Sequence, residues 1–133
     1  MSAERGVLDT SVFIAAESGR ALREDALPAE AAICVVTLAE LHAGVLAATD
    51  VDTRARRMAT LDSVVDIELL PIDEAAAITW ARMRARLAEA GRRVNVNDLW
   101  IAACAASREL PVVTQDDDFA PLVQLADLRV IPC

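Results

Sequence analysis

The chain has 133 residues, a hydrophobic fraction of 55%, an aromatic fraction of only 3% and a formal net charge of −8. The length predicts a single domain over residues 1–133, and the composition excludes a disordered chain. No apolar run reaches the length of a membrane span and the N-terminus lacks a signal-peptide pattern, so we expect a cytoplasmic protein.

Strands and helices are predicted to alternate along the whole chain. In order, they are a strand at 7–8, a helical turn at 12–15, a short helix at 20–27, a strand at 31–36, helices at 37–48 and 53–65, a strand at 67–70, helices at 73–91 and 98–108, and strands at 112–113 and 128–131. Gly91 is expected to end the long helix and Asn97 to cap the next one. This alternation predicts an α/β fold with a mostly parallel sheet and helices on both faces.

Acidic residues fall at four places where a strand gives way to a helix. These places are Asp9, Glu40, Asp98 and the run 116–118. In a parallel sheet, the carboxyl ends of the strands and the amino ends of the following helices share one edge, where ligands bind. We therefore expect these carboxylates to converge although they are far apart in sequence.

Helix capping is the simpler explanation for each carboxylate taken alone. Thr37 and Glu40 have the spacing of a capping box. Asp98 lies in a predicted first helical turn, where the helix dipole favours an anion. Asp9 and the aspartates of 116–118 could also cap a turn or a helix, and the sequence alone leaves both interpretations open.

A shared site for the four carboxylates would select a hard cation. His42 is the only histidine, and the three cysteines, which we expect to be reduced structural thiols, lack metal-ligand spacing. An oxygen-only site favours Mg²⁺, with Mn²⁺ as the alternative ion. Such an ion binds phosphate and can activate a water molecule, so metal-assisted phosphodiester hydrolysis is the resulting hypothesis.

Four motifs, in order and together covering essentially the whole chain, resemble those of PIN-domain nucleases. The best resemblance is to VapC, the toxin half of bacterial VapBC toxin–antitoxin pairs. The motifs are Val-Leu-Asp9-Thr-Ser, Thr37-x-x-Glu40-Leu-x-x-Gly44, Asn97-Asp98-Leu-Trp-Ile-Ala-Ala and Val-Thr114-x-Asp116-x-Asp118-Phe119.

The resemblance implies a PIN-like three-layer fold whose five-stranded sheet has the order 3-2-1-4-5. It also implies a set of site residues. The acidic pocket would consist of Asp9, Glu40, Asp98 and Asp116, and the Mg²⁺ ligands would be Asp9, Asp98, Asp116 and Asp118. Supporting roles would fall to Thr10 and Thr114, which would orient Asp9, and to Asn97. Which of the three adjacent aspartates at 116–118 faces the metal stays open.

The resemblance further implies a Mg²⁺-dependent endoribonuclease in which metal-activated water hydrolyses RNA. VapC toxins are usually dimeric and are silenced by a VapB antitoxin, so we expect an antitoxin partner and a homodimer. All 13 basic residues are arginines. Arg92 and Arg93 precede the Asp98 turn and are candidates for RNA phosphate contacts, whereas Trp100 is expected to pack in the core rather than stack on a base.

The alternative function is a non-catalytic α/β binding or regulatory module whose carboxylates act only as caps. A receiver-type switch would require a lysine near the pocket, and this chain has no lysine. In such a module, Asp98→Asn would leave the function intact.

Overall fold

A five-stranded parallel sheet forms the centre of the computed structural model, which describes residues 3–133. Its strands are β1 (Arg5–Leu8), β2 (Glu30–Cys34), β3 (Glu68–Leu70), β4 (Val112–Thr114) and β5 (Val130–Pro132). The order is β3-β2-β1-β4-β5, and every neighbouring pair is parallel. The predicted sheet and its strand order are therefore confirmed.

Six α-helices cover the two faces of this sheet. They are α1 (Thr10–Glu17), α2 (Val35–Ala47), α3 (Val51–Ser63), α4 (Glu74–Glu89), α5 (Val96–Ala106) and α6 (Ala120–Ala126). None of the helices within residues 3–133 is both long enough and apolar enough to cross a membrane.

The side chains of the strands point alternately to the two faces of the sheet, and an apolar core lies on each face. Val7 and Val112 pack on one face with residues of α4, α5 and α6. Their neighbours Leu8 and Val113 pack on the other face with residues of α1 and α2. Because successive side chains of a strand point to opposite faces, β1 and β4 each contribute to both cores.

A stacked pair of tryptophans joins α4 to α5. The rings of Trp80 and Trp100 are 4.7 Å apart, centroid to centroid, and are inclined by 14°. The Arg84 guanidinium lies 5.3 Å from the centroid of the Trp80 ring, a cation–π arrangement. Trp100 therefore stacks on Trp80 and is half-buried, rather than lying in the core as predicted.

The secondary structure differs from the sequence predictions in three places. The strand predicted at 31–36 ends at Cys34, and Val35 and Val36 begin α2. The short helix predicted at 20–27 is a single 3₁₀ turn, Glu24–Ala26. The chain before it runs beside β5, where the Arg23 N–H donates to the Cys133 carbonyl at 2.7 Å. Helix α6 was not predicted, because its seven residues are too few to display helical periodicity. Its Pro121 lies in the first helical turn, where proline is favoured.

Candidate active site

A polar cavity of about 290 Å³ lies where β1, β2 and β4 end. Its lining residues are Asp9, Thr10, Ser11, Ile14, Arg20, Glu40, Asn95, Asp98, Asp116 and Asp118. Five carboxylates from four separate segments of the chain therefore share one cavity. In a parallel sheet the carboxyl ends of the strands share one edge, so these carboxylates were expected to converge there.

The Asp9 carboxylate is buried and held in place by two hydroxyl groups. Its side chain follows β1 directly, and the residue is 2% exposed. The Asp9 Oδ2 atom accepts hydrogen bonds from Ser11 Oγ at 2.7 Å and from Thr114 Oγ1 at 2.8 Å. The Asp9 N–H donates to the Val113 carbonyl at 3.0 Å, which ties the residue to β4.

A different hydroxyl positions Glu40. Thr10 Oγ1 donates to Glu40 Oε1 at 2.7 Å and lies 3.1 Å from Thr37 Oγ1. Thr10 and Thr114 were both predicted to orient Asp9, and this prediction was wrong for Thr10. The residue after a strand-terminal aspartate begins helix α1 here, so its side chain faces α2 instead, and Ser11 reaches back to Asp9.

Side-chain helix capping does not account for the carboxylates that line this cavity. Asp9 precedes α1 without a side-chain capping hydrogen bond. Helix α2 begins at Val35 with the Cys34 thiol as its cap, so the predicted capping box at Glu40 does not form. Helix α5 begins earlier than predicted, because the Asn95 Oδ1 accepts from the Asn97 N–H at 2.9 Å and caps the helix there. Asn97 is therefore not the cap, and its side chain is exposed outside the cavity.

The three adjacent aspartates have different surroundings. Asp116 and Asp118 line the cavity, and Asp117 does not. The Asp116 N–H donates to Thr114 Oγ1 at 3.0 Å, while the Asp117 carbonyl accepts from the Ala120 N–H at 3.1 Å as the chain turns into α6. Asp116 and Asp118 are thus the two members of the run that share the cavity with Asp9.

Burial and repulsion between carboxylates disfavour the ionised forms of Asp98 and Asp116 in this cavity. Burial, followed by the charges of Asp9 and Asp118, raises the pKa of Asp98 to about 7. Burial and the same two neighbours also raise the pKa of Asp116, whereas Arg20 acts in the opposite direction. Carboxylates that resist ionisation next to one another are a typical sign of a cation or proton site.

The donor set fits a hard divalent cation. Every acidic ligand candidate offers oxygen, and a positive ion among these carboxylates would remove the repulsion that raises the pKa of Asp98. Within the described chain, no three acidic, histidine or cysteine side chains are gathered into a ready-made coordination cluster. The carboxylates therefore share a cavity, and their side chains must close further around an ion to bind it.

The predicted RNA-binding arginines lie outside this cavity. Arg92 and Arg93 line a second cavity of about 700 Å³ between α4 and α5, together with Trp80 and Arg84. Val96 and Leu99 also line it, so the first turn of α5, which carries Asp98, separates the two cavities.

Three polar residues that line the acidic cavity were not predicted from the sequence. Ser11 was visible as the second hydroxyl after Asp9, and Asn95 as a cap-type residue two positions before Asn97. No local sequence pattern predicted that Arg20 lines the cavity, because only the turn after α1 brings it there.

Comparisons with known proteins agree with this geometry. The PIN domain family model matches residues 6–123. Ribonuclease VapC5 of Mycobacterium tuberculosis is 64% identical over 126 residues, which are 95% of this chain and 93% of that protein. Ribonuclease VapC4 of the same organism is 40% identical over 98% of both chains. The crystal structure of VapBC-5, a member of the VapBC family of toxin–antitoxin systems from M. tuberculosis, superposes with a TM-score of 0.91 at 58% identity and covers 98% of this chain and 99% of that chain.

Proposed function

The chain belongs to the PIN-domain family, and from this membership we propose that it is a Mg²⁺-dependent endoribonuclease, the VapC-type toxin of a VapBC pair. One observation supports this proposal most strongly. Five carboxylates from four segments line one cavity, and the helices beside it take their caps from Cys34 and Asn95. A cap-only binding module does not account for that arrangement.

The proposed cation ligands are Asp9, Asp98 and Asp116, with Asp118 beside them. When bound, a divalent cation supplies the charge that attracts a phosphate and lowers the pKa of a water molecule. Mg²⁺ is proposed, with Mn²⁺ able to replace it, because all of the ligand candidates are oxygen donors.

Each surrounding side chain has a definable task in RNA hydrolysis. Ser11 and Thr114 both bind Oδ2 of Asp9 and so fix the orientation of its carboxylate before a ligand arrives. Thr10 similarly fixes Glu40, whose carboxylate can accept the proton of the attacking water. No side chain is required as a nucleophile.

RNA, an antitoxin and a second copy of the chain are the proposed partners. Similar solved structures include VapBC-5 of M. tuberculosis and DNA-bound VapBC of Salmonella typhimurium, which supports a VapB-type antitoxin. Homodimerisation is proposed from the same family membership. Arg92 and Arg93 remain candidates for phosphate contacts on the far side of the α5 turn, and an RNA substrate makes a cytoplasmic location the natural expectation.

The test is cleavage of a total RNA pool by purified, antitoxin-free protein. We expect discrete fragments in Mg²⁺, no fragments in EDTA, and full recovery when Mg²⁺ is added back in excess. Cleavage that persists unchanged in EDTA would contradict the metal-dependent proposal.

A further inference from the structure

Arg20 occupies an unusual position in this acidic cavity. Among the side chains of residues 3–133, it is the only basic one that lines the cavity. Gly19, with φ of +72°, ends α1 in the left-handed conformation, and the Arg20 N–H then donates to the Ala15 carbonyl at 2.8 Å. This pattern is a typical helix C-terminal turn, and it reverses the direction of the chain.

Backbone contacts, rather than the guanidinium, hold the segment that carries Arg20. Gln115 Nε2 donates to the Ala21 carbonyl at 3.3 Å, and the Arg23 N–H donates to the Cys133 carbonyl at 2.7 Å. Both partners lie at the carboxyl ends of β4 and β5. The segment is thus fixed at the edge of the sheet that carries Asp116, without any contribution from the Arg20 side chain.

Within residues 3–133, the Arg20 guanidinium has no ion-pair partner although five carboxylates line the same cavity. Within the described part of the chain, side-chain ion pairs of 4.0 Å or less involve only Arg5 and Arg108. The Arg20 side chain nevertheless lines the same cavity as Asp116 and Asp9. The side chain is therefore near the carboxylates and still available to a ligand.

An anionic substrate needs such a group. Five carboxylates carry more negative charge than even two divalent cations neutralise, so a phosphodiester approaching the loaded cavity still meets net repulsion. A guanidinium offers two parallel donors that match phosphate oxygens, and it keeps its charge at any physiological pH.

We propose that Arg20 binds a phosphate of the RNA substrate at the mouth of the acidic cavity. The inference rests on the proposed ribonuclease function, and it adds a substrate-binding residue to that site. Arg20 would contact the phosphate directly and would take no part in holding the cation.

The test compares Arg20→Ala and Arg20→Lys with Arg23→Ala, a matched change in the same segment at an exposed side chain outside the cavity. Losing a charge-assisted hydrogen bond predicts a fall of about 10-fold to 100-fold in kcat/KM for Arg20→Ala. Arg20→Lys should recover part of the lost kcat/KM, because the lysine ammonium group keeps a positive point charge. Arg23→Ala should remain within about twofold of the wild type.

Two binding measurements separate this role from a role in the cation site. In an Asp98→Asn background, fluorescence anisotropy should show that Arg20→Ala weakens RNA binding about 10-fold, whereas Arg23→Ala does not. Mn²⁺ binding by Arg20→Ala should be as tight as in the wild type or tighter, because a positive charge has left the cavity. Equal cleavage by Arg20→Ala and Arg23→Ala, or a loss of Mn²⁺ binding in Arg20→Ala, would overturn the inference.

Failure of the proposed function would look different. If the wild type cleaves no RNA, the ribonuclease proposal fails and the anisotropy result alone decides the role of Arg20. If only Arg20→Ala weakens RNA binding, the inferred phosphate contact is supported. If both variants bind RNA equally, the inferred contact is rejected.

Discussion

Asp98→Asn is expected to lower the rate of RNA cleavage about 100-fold to 1,000-fold, the usual cost of removing a charged group that stabilises a transition state. Asp98 lines the cavity with four other carboxylates, and their charges together with burial raise its pKa to about 7. Asparagine keeps the shape of the side chain but removes the negative charge. Cleavage of a labelled RNA under single-turnover conditions measures the loss.

Asp117→Asn is the matched control for this substitution. It removes the same charge within two residues of Asp116 and Asp118, but its side chain does not line the cavity. We expect Asp117→Asn to cleave within about twofold of the wild-type rate. Similar losses in both variants would mean that general surface charge, and not the cavity, controls activity.

The second large effect is on stability: without a divalent cation, the protein should become less stable as pH rises from about 4 to about 7. The pKa of Asp98 is raised from its ordinary value of 3.8 to about 7 in the folded chain. Between these values the folded state binds more protons than the unfolded state, so the free energy of unfolding falls with pH and levels off above about 7. The raised pKa of Asp116 acts in the same direction.

Asp98→Asn should remove most of this pH dependence. At pH 8 the metal-free variant should be about 1–2 kcal/mol more stable than the wild type, a value reduced for solvent screening because Asp98 is only half-buried. Urea denaturation at several pH values with EDTA gives the slope. Mg²⁺ should raise the melting temperature of the wild type more than that of the variant. Wild-type stability that stays flat or rises between pH 4 and 7, with the same curve for the variant, would rule out this repulsion.

The sheet and the acidic edge could be predicted from the sequence because both depend on local patterns repeated along the chain. Buried apolar runs marked the strands, and the alternation with helices implied parallel pairing. Once pairing is parallel, residues at strand ends such as Asp9 and Asp116 share an edge whatever their separation in sequence.

The errors came from competition between neighbouring groups that periodicity does not describe. A capping box at Glu40 was plausible locally, but a tertiary hydrogen bond from Thr10 uses that carboxylate, and Cys34 caps the helix. Asn97 was predicted as the cap of α5, but the Asn95 Oδ1 accepts from the Asn97 N–H and caps the helix instead. Arg20 depends on contacts with Gln115 and Cys133, which are distant in sequence, so no local pattern could have placed it.

The most direct test of the shared cation site is Mn²⁺ titration of the isotope-labelled protein by NMR, since paramagnetic Mn²⁺ broadens the amide signals of residues near it. We expect signals of residues 9–11, Asp98 and Asp116 to disappear first in the wild type, and to persist at the same Mn²⁺ concentration in Asp9→Asn. Asp50, an exposed helix cap away from the cavity, serves as an internal reference. Broadening that begins at Asp50 and other exposed acids, and is the same in Asp9→Asn, would contradict a cation site at the carboxyl edge of the sheet.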